Sequence, residues 1–171
     1  MLRPMLAALV LTAFPHLAGA TETIGTITAT VDGVEREWQT IRQSNSDGTD
    51  ASARVYDLGP MSTVEIQGMG EGTLVMEVAV VGDLAPGAMG EVQIALFPKG
   101  EGFMGARWTS EDAGVAPVLT FDTLMLDGTG GEATGTFAGR LCRAEGFEDV
   151  DTSDCREISG RFETELLVVE E

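Results

Sequence analysis

The side chains best suited to chemistry crowd into one stretch near the C-terminal end of the chain. Cys142 and Cys155 bracket a loop that carries Glu145, Glu148 and the run Asp149-Val-Asp151-Thr-Ser153-Asp154. Hard oxygen donors at alternate positions are what calcium requires, and Asp149, Asp151 and Ser153 imitate the first three side-chain ligands of an EF-hand loop. The imitation stops there. Position six is Asp154 where a glycine makes the turn, and position twelve is Gly160 where a bidentate glutamate closes the shell. An acidic loop without metal is the favoured reading, with Asp149, Asp151, Ser153 and Asp154 as the calcium candidates. Asn45-Ser-Asp47-Gly-Thr49-Asp50 reads the same way, since turn-forming Asx residues account for its composition.

The cysteines themselves admit two uses, a structural staple or a redox pair. A redox pair is expected as Cys-x-x-Cys at a helix start, which the chain lacks. A disulfide between Cys142 and Cys155 is therefore expected, worth about 3 kcal/mol on the chain-entropy account. Other chemistries are excluded more firmly. The single histidine is His16, so the chain beyond it has no Ser-His-Asp or Cys-His arrangement and no imidazole-rich zinc or copper site. There is no Gly-x-Ser-x-Gly elbow and no phosphate loop. Acidic residues are so abundant that no one pair stands out for glycoside hydrolysis. Methionines 61, 69, 76, 89, 104 and 125 lack clustered spacing and suit core filling better than copper. No cofactor is expected.

The elements that must hold the cysteines can be read from the same pairing. If Cys142 faces Cys155 across an antiparallel hairpin spanning 133–169, every other pair on its two strands follows. Phe137 then stands opposite Gly160, Phe162 opposite Gly135 and Arg140 opposite Glu157, so each ring can cover a residue without a side chain. Parity sends Phe137, Leu141, Ile158, Phe162, Leu166 and Val168 to one face. Thr134, Thr136, Arg140, both cysteines, Glu157, Arg161, Glu163 and Glu165 go to the other. Arg156 lands on the apolar side beside the loop, where its long side chain can still reach water.

Upstream, alternation on both sides of Asp32-Gly33 predicts a tight hairpin from Thr23 to Ile41, with Ile27, Ala29 and Val31 on one face and Trp38 as a core or rim anchor in preference to a ligand platform. Residues 43–51 read as a polar loop. Short strands follow at 53–58 and 62–67, and glycine-rich Gly68–Gly72 turns the chain into 73–81, apolar on both sides and thus expected to be central and covered twice, or interior to a sandwich. Strands at 91–97, 105–109 and 118–126 complete the series. About ten strands without an amphipathic helix predict an all-β fold, a single-domain antiparallel β-sandwich, with a small closed lipocalin-like β-barrel as the alternative.

The N-terminal end adds a compartment. Met1 to Phe14 is a short apolar run behind Arg3, and Ala18-Gly-Ala20 is a small-x-small cleavage site, so residues 1–20 are expected to be a signal peptide and 21–171 one β domain. A periplasmic or secreted protein is implied, which suits a disulfide. Without Arg3, 28 acidic side chains face 9 basic ones, a net charge of −19. Nucleic acid and anionic membrane surfaces are poor partners for such a chain. After cleavage no apolar span long enough for a membrane helix remains. A transmembrane β-barrel is disfavoured by the Glu170-Glu171 ending and by too few aromatics for two girdles.

The segments Ile27-Thr-Ala-Thr-Val-Asp-Gly-Val-Glu-Arg-Glu-Trp38 and Ile158-Ser-Gly-Arg-Phe-Glu-Thr-Glu-Leu166 resemble the first hairpin and last strand of small secreted bacterial β-sandwich proteins of uncharacterised function. The resemblance implies a fold and a compartment and transfers no site residues; the missing lipobox cysteine departs from the lipoproteins among them. The sequence thus points to an exported, non-enzymatic binding module with an envelope or protein partner. The alternatives are a small-ligand carrier built on a barrel cavity and a calcium-dependent module.

Overall fold

The computed structural model describes residues 20–46, 48–101, 105–146 and 149–170. The expected signal peptide lies outside them except for Ala20, as does Glu148. Eleven strands follow one another: β1 (Ala20–Val31), β2 (Val34–Asn45), β3 (Gly48–Ala51), β4 (Ala53–Asp57), β5 (Met61–Gly70), β6 (Gly72–Val81), β7 (Gly90–Phe97), β8 (Ala106–Thr109), β9 (Val118–Asp127), β10 (Gly130–Glu145) and β11 (Asp151–Glu170). The all-β class is as the alternating sequence predicts.

All eleven strands join one mixed hydrogen-bonded sheet in the order β3-β2-β1-β11-β4-β5-β6-β7-β8-β10-β9. Every ladder is antiparallel except that of β11 with β4, where Leu167–Glu170 run alongside Arg54–Asp57. The long final strand makes this possible. Its middle pairs with β1 and β10, and its last residues leave β1 behind to pair with β4. The ladders consequently close a circuit from β11 through β4, β5, β6, β7, β8 and β10 back to β11.

The circuit surrounds one apolar cluster. Ile27, Trp38, Val64, Ile66, Leu74, Met76, Ile94, Leu141, Ile158 and Leu166 reach it from seven strands and are almost wholly withdrawn from water. Burying a side chain of this size contributes roughly 1.5–3 kcal/mol each, which is why the inward faces of the long strands are mostly apolar; the buried Thr40 and Thr164 hydroxyls bond to each other at 2.7 Å. Trp38 owes its place to glycines. A Cβ on Gly68 would stand 2.6 Å from the Cβ of Trp38 and 2.8 Å from Cδ1 of Ile27, so any larger residue there would displace the indole.

The first hairpin turns at Asp32 and Gly33, both at positive φ (50° and 78°), the turn geometry whose twist matches its flanking strands. Two expectations fail. Residues 43–51 are not a loop: β2 continues to Asn45 and β3 returns from Gly48 in register with it. The turn holds because the Gly48 N–H donates to the Asn45 Oδ1 at 3.1 Å, so a polar composition conceals a short hairpin. Nor is β6 covered twice. It lies between β5 and β7 with Leu74, Met76, Val78 and Val80 buried, but its other face carries exposed Glu77 and a Val81 that is 83% exposed. Apolar residues on an outward face do not by themselves recruit a second layer.

Candidate functional site

The disulfide hairpin has the register that the cysteine pairing implies. Cys142 stands opposite Cys155, Arg140 opposite Glu157, Phe137 opposite Gly160 and Phe162 opposite Gly135. The Phe162 ring covers Gly135, where a Cβ would meet Cζ at 2.6 Å, and it meets Phe121 edge-on at 5.9 Å between centroids. At Gly160 the space is taken instead from β1, by Ala29. The parity assignment holds for Phe137, Leu141, Ile158, Phe162 and Leu166, all buried. Cys142 departs from it, being fully buried on the nominally polar face, because β8 lies against β10 and places Thr109 beside it. Arg156 does not simply reach for water: its guanidinium lies 3.6 Å from the centre of the Trp108 ring, with Asp32 Oδ2 at 3.9 Å from Nε.

The acidic loop is brought together but is occupied with itself. Asp151 Oδ1 accepts from the Ser153 N–H at 2.9 Å and from the Ser153 hydroxyl at 2.6 Å. These two bonds hold the Asp151 carboxyl below its ordinary value, the hydroxyl contributing most. Asp154 Oδ2 lies 3.8 Å from Arg143, whose other amino group contacts Glu145 at 2.6 Å. Asp149, Asp151 and Asp154 line one shallow concavity with that guanidinium. A fixed cation inside the cluster competes with any metal for the same oxygens. Among the described residues no group of three or more histidine, cysteine, aspartate or glutamate side chains is placed to hold a metal ion. In the other acidic turn, Asp50 Oδ1 is spent on Arg54 at 3.1 Å and on the Ala51 N–H at 2.8 Å.

A different surface has the geometry of a site. The outward side chains of β2, β1, β11, β10 and β9 fall into rows across the sheet. The central row is Glu37, Thr28, Arg161, Thr136 and Thr120, flanked by Gln39, Thr26, Glu163, Thr134 and Thr123 on one side and by Glu35, Thr30, Ser159, Ala138 and Val118 on the other. Short hydroxyl side chains on a twisted sheet leave a trough. An open hollow of about 540 Å³ lies in it around Thr28, Thr136 and Arg161. Two further hollows of about 360 and 480 Å³ continue it along the strands, the first sharing Thr28, Thr136 and Arg161, the second joined to it through Thr26, Thr134 and Glu163. The Thr123 and Thr134 hydroxyls bond to each other at 2.8 Å.

Arg161 gives this trough its character. Arg42, Arg54, Arg143 and Arg156 each face a carboxylate, whereas Arg161 has none within ion-pair reach among the described residues. An exposed guanidinium with five donors, set among threonine hydroxyls and bordered by Glu35, Glu37 and Glu163, offers hydrogen bonds of both senses to a polar ligand. Sequence reasoning had placed Thr134, Thr136, Arg161 and Glu163 on one face of the hairpin. It could not assemble the site, because the threonines of β1 and the edge of β9 enter only through the pairing of strands far apart in the chain.

No protein-family model, no curated protein and no solved structure matches this chain. Among the described residues no helix is long and apolar enough to cross a membrane.

Proposed function

We propose that this protein is an exported, non-enzymatic binding module that engages an envelope component or another protein through the polar trough centred on Arg161. The observation that carries this reading is the continuity of the trough. Three adjoining hollows share their walls along five strands, all on the outward face, while the inward face is filled by a single apolar cluster. A chain without histidine beyond position 16 and with its acidic loop tied up in internal hydrogen bonds is poorly equipped for turnover. A rigid sheet presenting donors and acceptors is well equipped for recognition. The disulfide and the N-terminal leader pattern support a periplasmic or secreted setting.

The test is retention of envelope extract on the immobilised mature protein. Wild type and the control Glu77→Arg, on β6 away from the trough, should retain the same material. The double variant Thr28→Arg/Thr136→Arg, which fills the trough with two long cations, should lose it. Equal retention by all three proteins, or none by the wild type, removes the reading.

A further inference from the structure

The trough ends at β9, and β9 is the longer of the sheet's two edge strands. Nine of its ten residues pair with β10 on one side, and it closes the strand order on the other. An edge strand presents a row of main-chain donors and acceptors, and long edges are usually blunted by lysine, proline, charge or a bulge. Val118-Leu-Thr-Phe-Asp-Thr-Leu-Met-Leu-Asp127 contains no lysine, arginine or proline. It has one bulge, at Asp122, which leaves a stretch on either side free to pair. Three of the ten exposed large apolar side chains among the described residues lie on this strand. Val118 is 59% exposed, Met125 61% and Leu126 42%, with Val115 just upstream.

We infer that the free edge of β9 is the docking site for an extended, basic segment of a partner polypeptide, which adds to the sheet as one more strand. This deepens the binding-module reading and rests on it, naming the strand and the chemistry of the partner. Main-chain hydrogen bonds to the edge supply affinity, and alternate apolar side chains of the incoming segment cover Val118 and Met125 on the outward side.

Charge selects the occupant. β9 bears Asp122 and Asp127, and Glu132 stands beside Met125 in the register with β10. A second copy of this chain is a poor partner. Antiparallel pairing of β9 with itself about its middle would set Asp122 close to its own mate, in two proteins that each carry a formal charge of −18. A segment alternating apolar residues with lysine or arginine instead neutralises Asp122, Asp127 and Glu132 as it pairs.

The experiment uses the purified mature protein and two fluorescent ten-residue peptides, one alternating valine with lysine and one alternating valine with glutamate. The lysine peptide should bind, more weakly as salt is raised, and should slow amide exchange within residues 118–127. The glutamate peptide should bind at least tenfold more weakly. Val118→Lys/Met125→Lys should weaken the lysine peptide at least tenfold. Asp122→Asn/Asp127→Asn, which leaves the edge intact, should reduce the salt dependence. Equal binding of the two peptides, protection confined to other strands, or indifference to both variants overturns the inference. So does sedimentation showing a wild-type dimer that Val118→Lys/Met125→Lys dissociates, since the occupant would then be a second copy. If the peptide arm fails while envelope material is still lost from Thr28→Arg/Thr136→Arg, the edge proposal falls and the module reading stands. If no envelope material is retained by the wild type, the module reading falls first.

Discussion

The two ends of the sheet invite comparison, because both lack a neighbour and only one is protected. β3 is four residues long, and its flank is sealed. Arg54 joins Asp50 at 3.1 Å to Glu65 at 3.4 Å, and Ser52, just past the strand, accepts from the Ile41 N–H at 2.9 Å and donates to the Gln67 carbonyl at 2.8 Å. β9 is two and a half times longer, exposes Val118, Met125 and Leu126, and is held by β10 and by the inward Leu119 and Phe121. The short edge is finished with polar contacts; the long one is anchored beneath and left open outside. An edge that is well anchored and interrupted only at Asp122 is what a strand-accepting surface needs, because the template must not fray when the incoming strand is absent.

The contrast can be broken most severely from below. Phe121→Ala removes the ring that meets Phe162 and should cost about 3–5 kcal/mol in urea unfolding, whereas Thr49→Ala on β3 should stay within about 0.5 kcal/mol. Similar losses at the two edges would mean that β9 is not the anchored one. Next in size is the disulfide, which fastens the far end of the ribbon on which β9 leans. Cys142→Ala/Cys155→Ala should lower stability by about 3 kcal/mol, the loop entropy of 13 residues, and should raise amide exchange in β9 more than in β3. A uniform rise would separate the staple from the edge.

Smaller effects sharpen the other side. Arg54→Ala removes the half-buried cation beside β3 and should cost about 1 kcal/mol, with 1 M salt recovering little of it, because packing of the side chain is lost as well as charge. Ser153→Ala should leave global stability within error and raise the Asp151 carboxyl back toward 3.8, as read by NMR titration. The sign follows from which form is favoured. Ser153 donates to the ionised carboxylate, so its contribution is present above the unfolded value and lost as pH falls through the depressed folded one. Calcium or a chelator should leave the melting temperature unchanged; a rise of several degrees with calcium would return Asp149, Asp151, Ser153 and Asp154 to consideration.

Period and spacing in the chain carried a good deal of this. Alternation across Asp32-Gly33 and the pairing of Cys142 with Cys155 were enough to place Ile27, Phe137, Ile158 and Phe162 on inward faces, because a hairpin's register needs only its own two strands, whereas core and rim stayed open for Trp38. β3 stayed hidden because Asn45 and Gly48 make a turn from residues that also suit an open loop. The covering layer expected over β6 failed to appear because apolar content does not say which face meets the core.

By itself, then, the chain determined an all-β class and which residues of each hairpin look inward, since those depend on a two-residue period and on contacts a few positions away. Only the tertiary structure decided that the end of β11 leaves β1 for β4, that β8 slips against β10 and buries Cys142, and that Thr26, Thr28, Thr134, Thr136 and Arg161 share one trough ending at an open edge. Those choices join strands distant in sequence. They are settled by competition among many similar apolar faces and unpaired main-chain groups for the same neighbours, which no local pattern records.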